Sequence, residues 1–452
     1  ITGYQNFLLP SERIETVNCD DYKKIERPES LKSVFVTWYL IPKEKVKSAE
    51  LRFLVNNNVL PPLSEIASKQ MTPTLYSNLG YFVTKQLIHH DEKRNLDWAF
   101  NNRYPEFEIS FDGTPFLGFY YVKQNGQIYS TVQDFPRGGI GITESGDVQV
   151  LNNFIVDSYE FKLLDWEIKI DSAQINKIEN VSKEVVLITP SVVTGLSKKF
   201  EEHIQETLWG DDQWIEYKEI IQAPDTINLF ITNRGNGNFP VDEVVAVWED
   251  KFPIVPFGYI LSLPKKEFGE LISEKLMKLQ VHVLPQSRQV NFESYRGIYS
   301  AALPVVRDYE SEFEKLNANQ VMAKMNEMGG FTHPNIQLAL ESKNFSPVIR
   351  DAGNWIVETD DFVGNITFTG RYEMSVGASL IDQAVILPLI EKVLPQKVKN
   401  ALMLDDGSGT KVVYAPDKQT LLSLNLTCAG SRNDLGDSSG NYYSQFAILL
   451  EN

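Results

Sequence analysis

Asp405 and Asp406 stand side by side in the stretch NALMLDDGSGTKVVY, residues 400–414. Two adjacent carboxyl groups repel, so one holds its proton nearer neutrality and can act as an acid while the other stays ionised. Gly407, Ser408, Gly409 and Thr410 follow directly. Glycines let a backbone approach a ligand closely, and hydroxyls can hydrogen-bond it. The alternative reading is an Asp-Gly hairpin turn with both charges in water. A phosphate-cradling P-loop does not fit, because the Gly-Lys spacing and the following helix are missing.

Other residues of the right chemistry lie far upstream. Arg137 precedes Gly138-Gly139, and Arg371 follows Gly370. In both places a guanidinium could be brought to an anion and bind it bidentately; the other reading of Arg137 is a surface arginine at a strand start. Asn78 and Gly80 end an apolar run, and Glu65 follows Ser64, a candidate helix N-cap. Glu65 reads either as a second carboxylate or as an exposed helix-start residue. His89, His90, Asp91 and Glu92 are metal-ligand types, but neighbours in sequence point apart and zinc spacings are missing. That cluster reads as a solvated loop, and neither a metal nor a cofactor is expected. Glycine-rich RGNGNFP, residues 234–240, is too weak a signal for phosphate binding.

The elements that must hold these residues read mostly as strands and hairpins. LKSVFVTWYLI (31–41) and ELRFLVNN (50–57) are β-prone. Asn125-Gly126 marks a type I′ turn between two strands, and Glu144-Ser145-Gly146 marks a second hairpin. EVVLITP (184–190) and FPIVPFGYILSLP (252–264) read as strands. A helix followed by a charged turn is expected over 195–220, and helices in KKEFGELISEKLMKL (265–279), through much of 309–350, and after the Gly370-Arg371 turn. Together these patterns predict an α+β (mixed α/β) fold, with twisted mixed sheets and hairpins flanked by helices. Residues 1–30 are polar and turn-rich, an expected extension wrapping the body. No linker-like Pro/Ser run divides residues 31–452.

The 452 residues carry a net charge of −17, with 42% hydrophobic and 23% charged residues. That is the balance of a globular chain with a full core. The charge argues against nucleic acid and anionic membrane surfaces as partners. No apolar run reaches the roughly 20 residues of a membrane helix, so no membrane insertion is expected. The start at Ile1, without Met, predicts a processed or trimmed form with any export signal out of sight. Cys19 and Cys428 are either one disulfide tying the ends or two free thiols. Sequons at Asn180, Asn344, Asn365 and Asn425 are too short a pattern to carry weight.

The order of eight segments resembles the phosphodiester glycosidase family. They are SEIA (64–67), NLGYF (78–82), PFLGFYYVKQNG (115–126), FPRGGIGI (135–142), PFGYILS (256–262), TGR (369–371), LMLDDGSGT (402–410) and Arg432 before SQFAILLEN. No single motif is specific; their colinear order over residues 31–452 is, with insertions near 150–250 and 309–350. The resemblance implies a secreted or periplasmic hydrolase cleaving a sugar-1-phosphodiester, such as a GlcNAc-1-phosphodiester, or a related glycosidic linkage. Its ligand would be a carbohydrate or sugar phosphate. It implies Asp405, with Asp406 second and Glu65 as a further carboxylate, for acid/base work. Asn78, Gly80, Gly407, Ser408 and Thr410 would line the substrate, and Arg137 and Arg371 would clamp the anion. Departures are visible. Leu79-Gly80 replaces a double glycine, Asp406 to Gly409 replaces a triple glycine, and Ser300 to Pro304 replaces a Gly-Gly-Gly-Pro stretch. Either Asn335 or Arg350 stands where the family has a second arginine. These changes leave open a degenerate member that binds glycan or serves a structural role without turnover.

Overall fold

The computed structural model describes residues 1–9, 15–17, 24–26, 32–53, 72–79, 101, 104–107, 109, 122–130, 137–189, 192, 220–234, 241–255, 258–271, 273–317, 320, 321, 324, 350–370, 375–406, 410–424 and 444–451.

Alternation of β-branched and aromatic residues builds the main sheet. In Ser33–Pro42, Val34, Val36, Trp38 and Leu40 fall on one face and join one core. This strand lies second in an 11-stranded antiparallel sheet. The order from its edge is Thr2–Leu8, Ser33–Pro42, Phe362–Phe368, Gly353–Glu358, Asn400–Asp406 and Tyr295–Arg307. The hairpin Val122–Gln124/Gln127–Ser130 and the pair Arg137–Thr143/Val148–Phe154 both attach at Tyr295–Arg307. Asn125 (φ 48°) and Gly126 (φ 79°) carry the left-handed backbone that a type I′ turn needs.

Each face of the main sheet has its own core. On one face the helix Leu380–Ile390 packs through Leu380, Ala384, Ile386 and Leu387 onto Trp355, Val357 and Met403. Ser379 caps this helix in a reciprocal box with Asp382. On the other face lies a five-stranded sheet, ordered Leu422–Ser423, Val412–Ala415, Thr74–Asn78, Ser444–Leu450 and Val46–Phe53. Leu75, Phe446, Ile448 and Val412 from that sheet meet Ile356, Leu402 and Leu404 from the main one.

Residues 154–290 form a lobe of two further antiparallel sheets. One is Trp166–Asp171, Ser158–Leu163 and His282–Gln286; the other is Val186–Ile188, Tyr259–Pro264, Ile220–Arg234 and Val241–Pro253. Phe161 and Ile168 of the first share a core with Leu229 and Leu261 of the second.

The expectation of helices flanking mixed sheets is overturned: the described residues are dominated by antiparallel strands. The longest described helix, Leu380–Ile390, has 11 residues. The 3.6-residue pattern of 265–279 yields only the four-residue turns Lys265–Phe268 and Ser273–Leu276. Gly269 caps the first, and a helix nucleus that short gains nothing without continuation. Glycine-rich 234–240 follows one long strand and precedes another, Ile220–Arg234 and Val241–Pro253; residues 235–240, and most of 195–220 and 309–350, lie outside the described residues. The N-terminal segment supplies the main sheet's edge strand, Thr2–Leu8. No helix among the described residues is long and apolar enough to cross a membrane.

Candidate functional site

The two stacked sheets meet in a seam that is apolar over most of its length and polar at one end. Thr74–Asn78 is buried throughout and pairs with Val412–Ala415, Ser77 opposite Val412. Asn78 locks the approach to that strand. Its backbone N–H donates to the Lys411 carbonyl at 3.1 Å, and its Oδ1 accepts the Lys411 N–H at 2.7 Å. Thr410 and Lys411 are fully buried.

From Ser77 a chain of amides crosses into the main sheet. Asn354 Nδ2 donates to Ser77 Oγ at 3.0 Å, and Asn365 Nδ2 donates to Asn354 Oδ1 at 2.9 Å. All three side chains are buried, so these bonds satisfy groups that would otherwise be costly inside a core. Asn354 holds the ladder position opposite Asp405, and Gly353 that opposite Asp406. A β-bulge separates Asn354 from Trp355 on this ladder. Bulges of this kind end regular pairing and re-aim side chains beside sites. Further along the seam the Tyr39 and Tyr414 rings pack 4.6 Å apart. Burial pushes the Tyr39 hydroxyl well above its ordinary range, with a hydrogen bond to Tyr414 adding to it.

The structure therefore gathers Asn78, Thr410 and the Asp405-Asp406 backbone at one end of the seam. Arg137 is nine-tenths buried but sits elsewhere. Its strand neighbours Ile140 and Ile142 join the seam core, whereas its ladder partner Phe154 packs into the lobe, which places Arg137 on the lobe face. The glycines after it meet packing needs: a Cβ on Gly139 would lie 2.6 Å from the Tyr299 carbonyl oxygen. Glu65, Gly80, Arg371, Gly407 and Ser408 lie outside the described residues.

Two departures from the resembled pattern acquire a structural account. Leu79 is buried in the seam core, so it fills volume where a glycine would leave backbone exposed. Arg350 is held by Asp382, with Nε at 2.7 Å from Oδ2 and Nη2 at 3.0 Å from Oδ1. That buried pair fastens the helix cap to the sheet. Sequence reasoning missed Ser77, Asn354 and Asn365. Their signal was a lone polar residue inside an apolar strand run, as in GNWIV and GNITF. Among the described residues no group of three or more His, Cys, Asp and Glu could hold a metal.

No family model and no curated protein matches the sequence. Among solved structures, a hypothetical protein from Synechocystis is similar at 15% identity and a TM-score of 0.44, over 99% of this chain and 62% of that one. The chain thus spans less than two thirds of that structure's length. A Burkholderia pseudomallei protein is similar at 12% identity and a TM-score of 0.47, over 95% and 78% of the two chains. The pro-peptide-inhibited catalytic domain of zebrafish N-acetylglucosamine-1-phosphodiester alpha-N-acetylglucosaminidase is similar at 10% identity and a TM-score of 0.37, over 100% and 84%. At these identities and scores no residue role passes from those proteins to this chain.

Proposed function

We propose that the chain is a hydrolase of a sugar-1-phosphodiester, or of a related glycosidic linkage, acting at the polar end of the seam. The observation that supports this reading is that Ser77, Asn354 and the ladder position of Asp405, far apart in sequence, meet at one end of the seam, with the Asn78–Lys411 strand pairing beside them. Cleaving such a bond needs a carboxyl group to protonate the leaving oxygen or activate water, and fixed donors for the phosphate. Asp405 is assigned the acid/base role, with Asp406 and Glu65 as supporting carboxylates. Asn78, Gly80, Gly407, Ser408 and Thr410 line the sugar and phosphate, and Arg371 clamps the anion. Arg137, on the lobe face, is left out of this arrangement.

The test is release of reducing sugar and phosphate monoester from a GlcNAc-1-phosphodiester. Turnover that Asp405→Asn abolishes, with the fold intact, is the expected result; turnover unchanged in that variant would remove the role. A second reading, ligand binding without hydrolysis, is favoured by buried Leu79 and by the commitment of Arg350 to Asp382. Calorimetric binding of the same compound without product release would decide for it.

A further inference from the structure

Thr2–Leu8 is the outermost strand of the main sheet, paired with Ser33–Pro42 in an unbroken register from Thr2↔Tyr39 to Leu8↔Ser33. Ile1 exchanges both backbone bonds with Leu40, and Leu9 donates to Lys32. In an antiparallel ladder the bonding residues alternate. The odd residues therefore bond inward, and Thr2, Tyr4, Asn6 and Leu8 turn their N–H and C=O groups to the free edge. Among the described residues no strand takes them. All four are also exposed, Tyr4 at 72% and Leu8 at 80%.

Unpaired edges invite another strand unless charge, proline, a bulge or brevity blunts them. The other described edges of the larger sheets are blunted. Trp166–Asp171, Val46–Phe53 and Val241–Pro253 carry acidic and basic residues, and His282–Gln286 contains Pro285. Val148–Phe154 is bulged, and Val186–Ile188, Gln127–Ser130 and Leu422–Ser423 are short. Thr2–Leu8 has seven residues, no charge, no proline and no bulge.

We propose that this edge pairs with the same strand of a second copy, antiparallel, about a two-fold axis through Gln5. Thr2 then faces the partner's Leu8 and Tyr4 faces the partner's Asn6, so all four outward residues find backbone partners. Tyr4 and Leu8 of both copies form one apolar cluster on a single face of the joined sheet. A second copy is the occupant the chemistry selects. An antiparallel edge is self-complementary under a two-fold axis. Two chains of net charge −17 repel over most of their surfaces, and this neutral strip is where they can approach. The strand and its exposed side chains would bury on the order of 1,000 Å² in total, the lower limit for a specific interface, so the dimer is weak and concentration-dependent.

Sedimentation velocity of the full chain over a concentration series tests this, with a monomer–dimer shift expected. Asn6→Pro removes only an outward N–H and leaves the ladder to Ser33–Pro42 intact. It should weaken self-association at least about tenfold while the unfolding midpoint stays put. Gln5→Cys places two thiols across the axis at a Cα separation of about 4.5 Å, within disulfide range. Mild oxidation should then give a cross-linked dimer that the added Asn6→Pro change abolishes. A monomer at every concentration, or a dimer untouched by Asn6→Pro, would overturn the proposal.

Discussion

Two buried asparagines, one in each half of the molecule, organise polar clusters of different kinds. In the lobe, Asn228 accepts from Ser262 Oγ at 2.7 Å and donates to the Trp248 carbonyl at 3.2 Å. Thr226 completes the group by donating to the Ala223 carbonyl at 2.6 Å. Every partner is neutral and belongs to the same sheet, so the cluster closes on itself. At the seam, Asn354 ties two sheets together and stands opposite Asp405 on the ladder. Satisfied buried amides are ordinary in folded proteins. An ionisable ladder partner, Asp405, separates the seam from the lobe.

The sharpest way to break this contrast is to neutralise one carboxylate in each half. Asp405→Asn should cut turnover by about 10²–10⁴-fold, the usual worth of a positioned acid or base. Asp242→Asn in the lobe, which keeps an acceptor for the Tyr259 hydroxyl now 2.6 Å away, should leave turnover unchanged. Equal losses in both variants would dissolve the distinction. Next in size is the Arg350–Asp382 pair on the helix side of the main sheet. Asp382→Asn leaves a buried guanidinium uncompensated and should cost about 3–5 kcal/mol. A urea midpoint that does not move would show that the pair contributes nothing to stability.

The strands were legible in the sequence wherever β-branched and aromatic residues alternate, as in 31–41, and wherever turn chemistry is strict, as at Asn125-Gly126. The long strand Ile220–Arg234 was not, because Pro224 and positive-φ Asp225 interrupt its pattern where the register shifts. The helix expected over 265–279 failed for a related reason: apolar spacing records which face is buried, and Gly269 ends the turn all the same. In the candidate site, Asn78 and Thr410 stand out in the sequence because they flank glycine-bearing stretches. Asn354 was not. Its meaning comes from Ser77, 277 residues away, and no local pattern encodes a partner at that distance.

A finer comparison replaces both organising amides. Asn354→Ala and Asn228→Ala each leave buried groups without partners and should each lose about 1–3 kcal/mol of stability. Only Asn354→Ala should also impair turnover or ligand affinity, because only that residue stands opposite Asp405 on the ladder. Matching functional losses in the two variants would mean that activity merely follows stability.

The smallest expected effect lies at the lobe surface, where Asp157 meets Arg288. The Arg288 backbone N–H donates to Asp157 Oδ2 at 2.6 Å and its Nη2 to Oδ1 at 3.1 Å. These bonds, the backbone one foremost, hold the Asp157 carboxyl below its ordinary value. A depressed carboxylate contributes stability above its unfolded pKa, and that contribution fades as pH falls through the folded value. Arg288→Met removes the guanidinium but keeps the backbone donor. In a carboxyl NMR titration Asp157 should therefore rise only part of the way and stay below an unperturbed aspartate. Acid unfolding should scarcely change, since an exposed pair is well screened by water. A complete return to the ordinary value would transfer the effect from the backbone to the side chain. The lobe's exposed charges would still be held by local bonds that matter little, in contrast to the buried Arg350–Asp382 pair beside the main sheet.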